Sequence, residues 1–145
     1  MFKHILAPYD GSKNAMAALE KAVELAKVTE AKLTILTVYR HHSLLEASFS
    51  MIRPGSPGNM DDVMRGHASE VAEVAKARAH ELGATGARAF VRNGPVARGI
   101  VQFAEEHGVD LIVLGTRGLG SVEEYLLGSV SHKVTGTAHC PALGV

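Results

Sequence analysis

The sequence is short of several features, and each shortage excludes a class of protein. A single cysteine, Cys140, stands among the 145 residues, so no intramolecular disulfide can form. Positive and negative charge are balanced, with 15 Lys+Arg against 15 Asp+Glu. A phosphate backbone is bound by an excess of basic residues, and this chain has none. We therefore expect neither a disulfide scaffold nor a nucleic-acid partner.

Long hydrophobic runs are also lacking. The first apolar run ends at Pro8 and is followed by Asp10, which makes it too short for a signal-peptide core or a membrane span. We therefore expect a cytoplasmic protein that does not insert into membranes. Apolar residues make up 46% of the chain and charged residues 21%, as in ordinary globular domains. The length suits one domain over residues 1–145 with one core.

Short apolar runs of β type alternate with amphipathic helical stretches along the chain. This alternation is typical of a parallel sheet covered by helices. We predict strands over residues 2–8, 32–39, 87–92, 110–114 and 141–145. We predict helices after Ser12, over about 61–82, over 96–107 and over about 129–136. Five strands and four helices in alternation give a doubly wound α/β sheet.

Capping residues and helix-breaking residues mark the ends of these helices. Ser12 is the expected N-cap of the first helix, and Gly83 and Gly108 are expected to end the second and third. Residues 40–60, with two prolines and two glycines between 51 and 59, are predicted to form a loop. Gly136 lies inside the last predicted helix, where glycine is unfavourable, so we expect that helix to end early.

A glycine-rich segment follows the most apolar predicted strand, residues 110–114. It reads Gly-Thr-Arg-Gly-Leu-Gly-Ser over residues 115–121. Ligands of open α/β sheets bind at the carboxyl ends of the strands. Gly115 and Gly118 have no Cβ, so their backbone is expected to approach a ligand closely. The segment is therefore a candidate ligand-binding loop.

A second glycine, Gly128, stands where the last helix begins. The amides of residues 129–131 would be free donors at the positive end of that helix, an arrangement that favours phosphate. The hydroxyls of Ser129 and Ser131 could add hydrogen bonds to phosphate oxygens. The segment is not a Walker A loop, and the first βα turn lacks the dinucleotide-binding glycines.

The spacing of these residues resembles the ATP-binding motif of the universal stress protein family. Gly115, two residues, Gly118, nine residues and then Gly128-Ser129 is that family's pattern. Residues 4–12 resemble its opening strand, which ends in Pro-x-Asp-Gly-Ser, and residues 110–120 resemble its fourth strand and loop. Cys140-Pro141 stands where the family commonly places Cys-Pro, and only residues 40–60 have no counterpart.

The resemblance implies a fold and a ligand. The fold is Rossmann-like: an open five-stranded parallel sheet of order 3-2-1-4-5 with helices on both faces. The ligand is ATP, or else AMP or another adenine nucleotide, with Mg²⁺ held by phosphates and water rather than by protein side chains. The implied nucleotide-binding residues are Ala7, Pro8, Tyr9, Asp10, Val38, Gly115, Thr116, Arg117, Gly118, Gly128, Ser129, Val130 and Ser131.

The resemblance also implies individual roles and an assembly. Asp10 would accept hydrogen bonds from the nucleoside, Val38 would meet the adenine edge through its backbone, and Arg117 would supply positive charge. The last strand would pair with its twin in a homodimer, although Gly144 weakens that strand. An unidentified protein partner would respond to nucleotide occupancy.

Three groups of reactive side chains receive plainer interpretations. The eight histidines, of which only His41 and His42 are adjacent, are interpreted as solvated surface residues rather than metal ligands. Cys140 is interpreted as a buried structural cysteine, because no second cysteine or clear base accompanies it in sequence. Glu123 and Glu124 are interpreted as solvated loop residues. We therefore predict no catalytic or metal-ligating residues.

Alternative functions remain open at this point. A nucleotide-responsive regulatory or stress-tolerance protein is the leading hypothesis. A slow ATPase is the alternative from the enzyme class, although no residue is an obvious base to activate water. A nucleotide-free interaction module would have the same fold, and a receiver domain would share its alternation of elements without its glycine spacing.

Overall fold

The computed structural model describes residues 1–40, 57–116 and 129–145, with residues 57–60 described through their main chain. The interpretations placed on residues 41–56 and on Glu123 and Glu124 lie outside this part of the chain. The same is true of three predicted site residues, Arg117, Gly118 and Gly128.

Strands and helices alternate from the first element to the last. The elements are β1 (His4–Pro8), α1 (Lys13–Thr29), β2 (Lys32–Tyr39), α2 (Pro57–Glu81), β3 (Arg88–Asn93), α3 (Val96–Glu106), β4 (Leu111–Leu114), α4 (Ser129–Thr137) and β5 (Ala142–Gly144). The five strands form one parallel sheet in the order β3-β2-β1-β4-β5. The predicted fold class and strand order are therefore confirmed.

The strand order reverses at β1, and in open α/β sheets a reversal of this kind marks the edge where ligands bind. Ile5 pairs with Leu33 of β2 on one side and with Leu111 of β4 on the other. Helix α1 after β1 and helix α4 after β4 pack on opposite faces of the sheet, an arrangement that in open α/β sheets leaves a crevice at the carboxyl edge.

Apolar side chains fill both faces of the sheet. Ile5 and Ala7 of β1 pack with α1 and α2 on one face, whereas Leu6 packs with α3 and α4 on the other. This alternation follows from the two-residue period of a strand, and it explains why the strands are almost wholly apolar. Among the described residues, no helix combines the length and the apolar character needed to cross a membrane.

The predicted capping residues occupy the helix ends. The Oγ atom of Ser12 accepts a hydrogen bond from the Ala15 amide at 3.0 Å, which confirms the N-cap of α1. Gly83 (φ 104°) and Gly108 (φ 65°) follow α2 and α3 in the left-handed region where glycine has no Cβ penalty. These two helix ends are thus confirmed.

Two helix boundaries differ from the prediction. Helix α2 begins at Pro57 rather than near residue 61, so the predicted loop is too long; proline is well suited to the first helical position. Helix α4 runs through Gly136 to Thr137, and the expectation that it ends early was wrong. The Ala138 amide still donates to Val134 O at 2.8 Å, so the helical hydrogen bonding continues past the glycine.

Two side chains interpreted from sequence lie in different environments from those expected. His4 is a buried residue, 8% exposed, with a hydrogen bond to Thr34, so its interpretation as a solvated surface residue was wrong. Cys140 is half-buried and packs at the edge of the apolar cluster beneath α3 and α4. Burial, followed by the charge of Asp110, raises the pKa of the Cys140 thiol, which disfavours the reactive thiolate.

Candidate functional site

The turn after β1 carries two of the predicted site residues to the carboxyl edge. Pro8 ends the strand half-buried, and Asp10 is exposed two residues later. The Asp10 Oδ1 atom accepts a hydrogen bond from the Ser12 amide at 2.9 Å, and Gly11 adopts φ 88° between them. Glycine tolerates this left-handed conformation. The turn therefore fixes the position of the exposed Asp10 side chain just beyond the carboxyl end of β1.

Ala7 and Tyr9 are placed differently from Pro8 and Asp10. Both side chains belong to the apolar core beneath α1 and α2, and Tyr9 is 6% exposed. Burial, together with the charge of Asp10, raises the pKa of the Tyr9 hydroxyl. The Tyr9 amide and carbonyl are already bonded to Leu36 O and Thr37 Oγ1, each at 2.9 Å. Within this turn, the side chains of Pro8 and Asp10 are therefore the ones that face the edge.

The main chain of Val38 is open toward the same edge. Leu36 O accepts the Tyr9 amide, so the main-chain groups of Leu36 point toward β1, and those of Val38, two residues on, point the same way. Strand β1 has ended by then, because its last pair joins Pro8 to Leu36. Among the described residues, the Val38 amide and carbonyl find no main-chain partner on that side. One donor and one acceptor thus stand beyond the end of β1.

Gly115 serves a packing role that sequence analysis did not foresee. A Cβ atom there would lie 2.9 Å from the carbonyl carbon of Asn14, 2.9 Å from its Oδ1 and 3.0 Å from its main-chain oxygen. The close approach made by Gly115 in this structure is therefore to the first turn of α1. The neighbour Asn14 was missed because it precedes Gly115 by a hundred residues of sequence.

Thr116 connects the start of the glycine-rich segment to the end of the sheet. Its amide and its hydroxyl both donate to the main-chain oxygen of Val145 at 3.1 Å, and the Asn14 amide Nδ2 donates to the same oxygen at 3.2 Å. A Cβ atom on Gly144 would lie 2.7 Å from Thr116 Cγ2. Because Gly144 has no side chain, it leaves space for Thr116, and it also reduces the apolar side-chain surface that β5 can bury.

The first turn of α4 holds the predicted phosphate-binding residues. Because β4 and β5 are parallel, the helix between them must start at the carboxyl edge. Ser129 is exposed there and Val130 is half-buried, whereas Ser131 is 2% exposed. Ser129 and Val130 therefore form the solvent-facing surface of this turn.

A cleft of about 520 Å³ lies between α3 and α4 and is continuous with that first turn. It is lined by Ser129 and Val130 together with three cationic residues, Arg40, Arg98 and Lys133. These cations were not predicted from the sequence, because they are far apart along the chain. Their positions relative to the predicted elements could have indicated that they are close in space: Arg40 directly follows β2, Arg98 lies in the first turn of α3 and Lys133 lies in α4.

Comparison with known proteins identifies the family. The model of the universal stress protein family matches residues 1–145. The chain belongs to the universal stress protein family. Universal stress protein YxiE of Bacillus subtilis is 38% identical over 146 residues, covering 99% of this chain and 98% of that protein.

Solved structures of the same family match the fold. Universal stress protein UspA from Lactobacillus plantarum aligns with a TM-score of 0.80 and 27% identity, over 99% of this chain and 97% of that one. A universal stress protein solved in complex with cAMP aligns with a TM-score of 0.75 and 25% identity, over 99% and 97% of the two chains. The architecture described above is thus the family architecture.

Proposed function

We propose that this universal stress protein binds an adenine nucleotide, in the first place ATP, at the carboxyl edge of its sheet. Nucleotide occupancy would then regulate a protein partner in the cytoplasm. The observation that carries the proposal is the main-chain donor and acceptor of Val38, which have no main-chain partner beyond the end of β1 among the described residues, together with the exposed carboxylate of Asp10 that follows β1. Both lie where the strand order reverses.

The Val38 main chain has the hydrogen-bonding pattern that adenine requires. Adenine presents an acceptor nitrogen next to an amino donor on its Watson–Crick edge. A backbone N–H and C=O on one side of a strand match that pair, and a mismatched base leaves buried polar groups without partners. Pro8 and Val38 lie on the same face of the sheet as α3 and α4, where the base would pack against apolar side chains.

The ribose and phosphates would extend from the base toward α4. The Asp10 carboxylate is suited to accept hydrogen bonds from ribose hydroxyls. The amides of Ser129 and Val130 lie at the positive end of the α4 dipole, where phosphate is favoured. A related protein of this family was solved in complex with cAMP, which supports an adenine nucleotide as the ligand class.

Mg²⁺ would enter with the nucleotide rather than before it. None of the described residues that line the cleft beside Ser129 carries a carboxylate, so these residues offer little to a hard cation that prefers oxygen ligands. The ion would be held by phosphate oxygens and water. It would neutralise part of the charge on the phosphates, and the protein would position the base, the ribose and the phosphates.

The first test asks whether the protein holds an adenine nucleotide. Protein purified without added ligand is denatured, and the released small molecules are identified by mass spectrometry; ATP binding is measured by calorimetry. An adenine nucleotide in the extract, or calorimetric binding of ATP, supports the proposal. The absence of both would overturn it in favour of a nucleotide-free module.

The second test examines the two recognition elements separately. Asp10→Asn keeps the side-chain oxygen that caps the turn and removes the charge, so ATP affinity should fall about tenfold, or 1.4 kcal/mol. Asp62→Asn, at an exposed position on α2, is the matched control and should bind normally. Inosine triphosphate reverses the donor and acceptor of the base and should bind at least about tenfold more weakly than ATP.

We also propose that β5 pairs with a second copy of the chain. This strand is at the edge of the sheet, and Leu143 on it is 39% exposed. An edge strand presents main-chain groups to which another strand can pair. Light scattering after size exclusion should give a dimer for the native chain and a monomer for Leu143→Lys; a monomer in both cases would contradict the pairing.

A further inference from the structure

The cleft between α3 and α4 contains three cationic residues that have no counter-ion within the part of the chain that the structure describes. Arg40, Arg98 and Lys133 line its volume of about 520 Å³, and none of the described residues that line it is an aspartate or a glutamate. None of the three side chains forms an ion pair with a described residue, whereas Arg92 and Arg78 elsewhere on the surface bond to Glu106 at 2.8 Å and to Glu20 at 2.9 Å. Three like charges around one cleft repel one another, and a bound anion relieves that repulsion.

Two helix ends add positive potential at the same place. Helix α3 begins at Val96 after Pro95, which provides no side-chain cap, and helix α4 begins at Ser129. Val96 and Ser129 both line the cleft. The first amides of a helix lack intrahelical acceptors, and the helix dipole is positive there. The cleft therefore combines side-chain cations with two sets of main-chain donors.

The cleft is continuous with the proposed nucleotide site. Ser129 and Val130 line the cleft and also belong to the turn that would receive the phosphates. Arg40 follows β2 two residues after Val38, the proposed contact of the base. A nucleotide whose base lies at Val38 and whose first phosphate lies at Ser129 would direct additional phosphates into the cleft.

We propose that Arg40, Arg98 and Lys133 bind the terminal phosphates of the nucleotide and determine how many phosphates the site prefers. This inference rests on the proposed function and narrows it: the preferred ligand class is a nucleoside triphosphate. Each additional phosphoryl group adds negative charge and oxygen acceptors for charge-assisted hydrogen bonds. In this arrangement the phosphate of a monophosphate would be bound at Ser129, and only the additional phosphates of a triphosphate would extend further into the cleft; a cyclic nucleotide has no terminal phosphate.

The test compares a ligand series with a set of charge variants by calorimetry at one fixed salt concentration. The ligands are ATP, ADP, AMP, cAMP and inorganic pyrophosphate alone. The cleft variants are Arg40→Gln, Arg98→Gln and Lys133→Gln, and Lys76→Gln on α2, on the opposite face of the sheet, is the matched control. All four remove one positive charge. The three cleft residues are exposed, so the variants should fold, which thermal melts will verify.

The expected result is a stepwise preference for phosphate number that the cleft variants remove. ATP should bind at least about tenfold more tightly than AMP, and raising the salt concentration should weaken ATP more than AMP. Arg98→Gln and Lys133→Gln should each lower the affinity for ATP by about three- to tenfold, and each should change the affinity for AMP by less than about twofold. Lys76→Gln should match the native protein for every ligand.

Four outcomes overturn the inference, and they have different consequences for the proposed function. If AMP binds as tightly as ATP, or if the cleft variants weaken both equally, the cleft does not bind terminal phosphates, although the proposed function stands. If pyrophosphate alone binds as tightly as ATP, the cleft is a site for free polyanions rather than for a nucleotide tail. If no adenine nucleotide binds at all, the proposed function fails together with the inference.

Discussion

The imidazole of His4 is hydrogen-bonded on both sides inside the amino-terminal edge of the sheet. Its Nε2 lies 2.8 Å from Thr34 Oγ1, and its Nδ1 lies 3.0 Å from the main-chain oxygen of His107. A carbonyl oxygen only accepts, so Nδ1 carries the proton, and the Thr34 hydroxyl donates to Nε2. Both nitrogens of the neutral ring therefore have a hydrogen-bond partner.

This geometry predicts a loss of stability in mild acid. Burial lowers the pKa of His4 and outweighs the hydrogen bond to His107 O, which raises it. In the unfolded chain, His4 titrates near pH 6.5. Between that pH and the lowered pKa of His4 in the folded chain, the unfolded chain therefore binds more protons than the folded chain. The free energy of unfolding should be highest above about pH 6.5 and fall as the pH decreases through this window. Urea denaturation at pH 7.5 and at pH 5.5 measures this difference in the free energy of unfolding.

His4→Gln isolates the contribution of this residue. Glutamine can hydrogen-bond but does not titrate, so the variant should lose less stability than the native chain between pH 7.5 and 5.5. His67→Gln, at an exposed position on α2, should keep the native pH profile. Main-chain hydrogen bonds hold the pKa of Asp110 below its usual value despite burial, so its effect falls at more acid pH. Identical profiles for His4→Gln and the native chain would contradict the assignment.

Features that depend on local sequence were predictable, and β2 shows why. Its residues Lys32–Tyr39 match the prediction because a strand covered on both faces must be apolar on both faces. The ends of α1, α2 and α3 followed from Ser12, Gly83 and Gly108, whose effects on the backbone are local. The strand order came from the family resemblance, since alternation alone does not fix which strands are neighbours.

Features that depend on distant partners were not predictable in the same way. The burial of His4 rests on Thr34 and His107, and the need for glycine at position 115 rests on Asn14. A histidine or a glycine has the same appearance in sequence whether its neighbours are water, ligand or protein. The cations of the cleft were missed for the same reason, because only the packing of α3 and α4 next to the end of β2 brings them together.

The N-cap of α1 provides a test of local stability next to the candidate site. Ser12 is 8% exposed, and its Oγ atom satisfies the Ala15 amide. Ser12→Ala should lower the free energy of unfolding by about 1 kcal/mol, because that amide loses its acceptor. Ser69→Ala, inside α2, should change it by no more than about 0.5 kcal/mol. Equal effects of the two substitutions in urea denaturation would show that the cap contributes nothing.

Gly115→Ala should be destabilising for a steric reason. The added Cβ would lie 2.9–3.0 Å from three atoms of Asn14, two of them in its main chain, so relief requires movement of the first turn of α1. Overpacking of this kind costs about 1–3 kcal/mol. Gly136→Ala is the matched control: nothing lies within 4 Å of a Cβ there, and alanine is favoured over glycine inside a helix.

Comparing Gly115→Ala with Gly136→Ala separates the effect of packing in the folded state from the effect of glycine flexibility in the unfolded chain. Both substitutions restrict the unfolded chain equally, so a difference between them reports on the folded state. Gly136→Ala should raise the free energy of unfolding by about 0.5–1 kcal/mol, in contrast to the loss at Gly115. A stabilising Gly115→Ala would mean that the contact with Asn14 does not require glycine.

The contact between Thr116 and Gly144 can be measured as a coupling energy. A Cβ at Gly144 would lie 2.7 Å from Thr116 Cγ2, and Thr116 is held in place by its two hydrogen bonds to Val145 O. Gly144→Ala should therefore cost about 1–3 kcal/mol in the native background. Thr116→Ser removes Cγ2 and keeps the hydroxyl, so in that background the same substitution should cost less, with a coupling of about 1 kcal/mol.

Additive effects within about 0.5 kcal/mol would show that the two residues do not constrain each other. A measured coupling would mean that the first residues of the glycine-rich segment and the edge strand β5 cannot move independently.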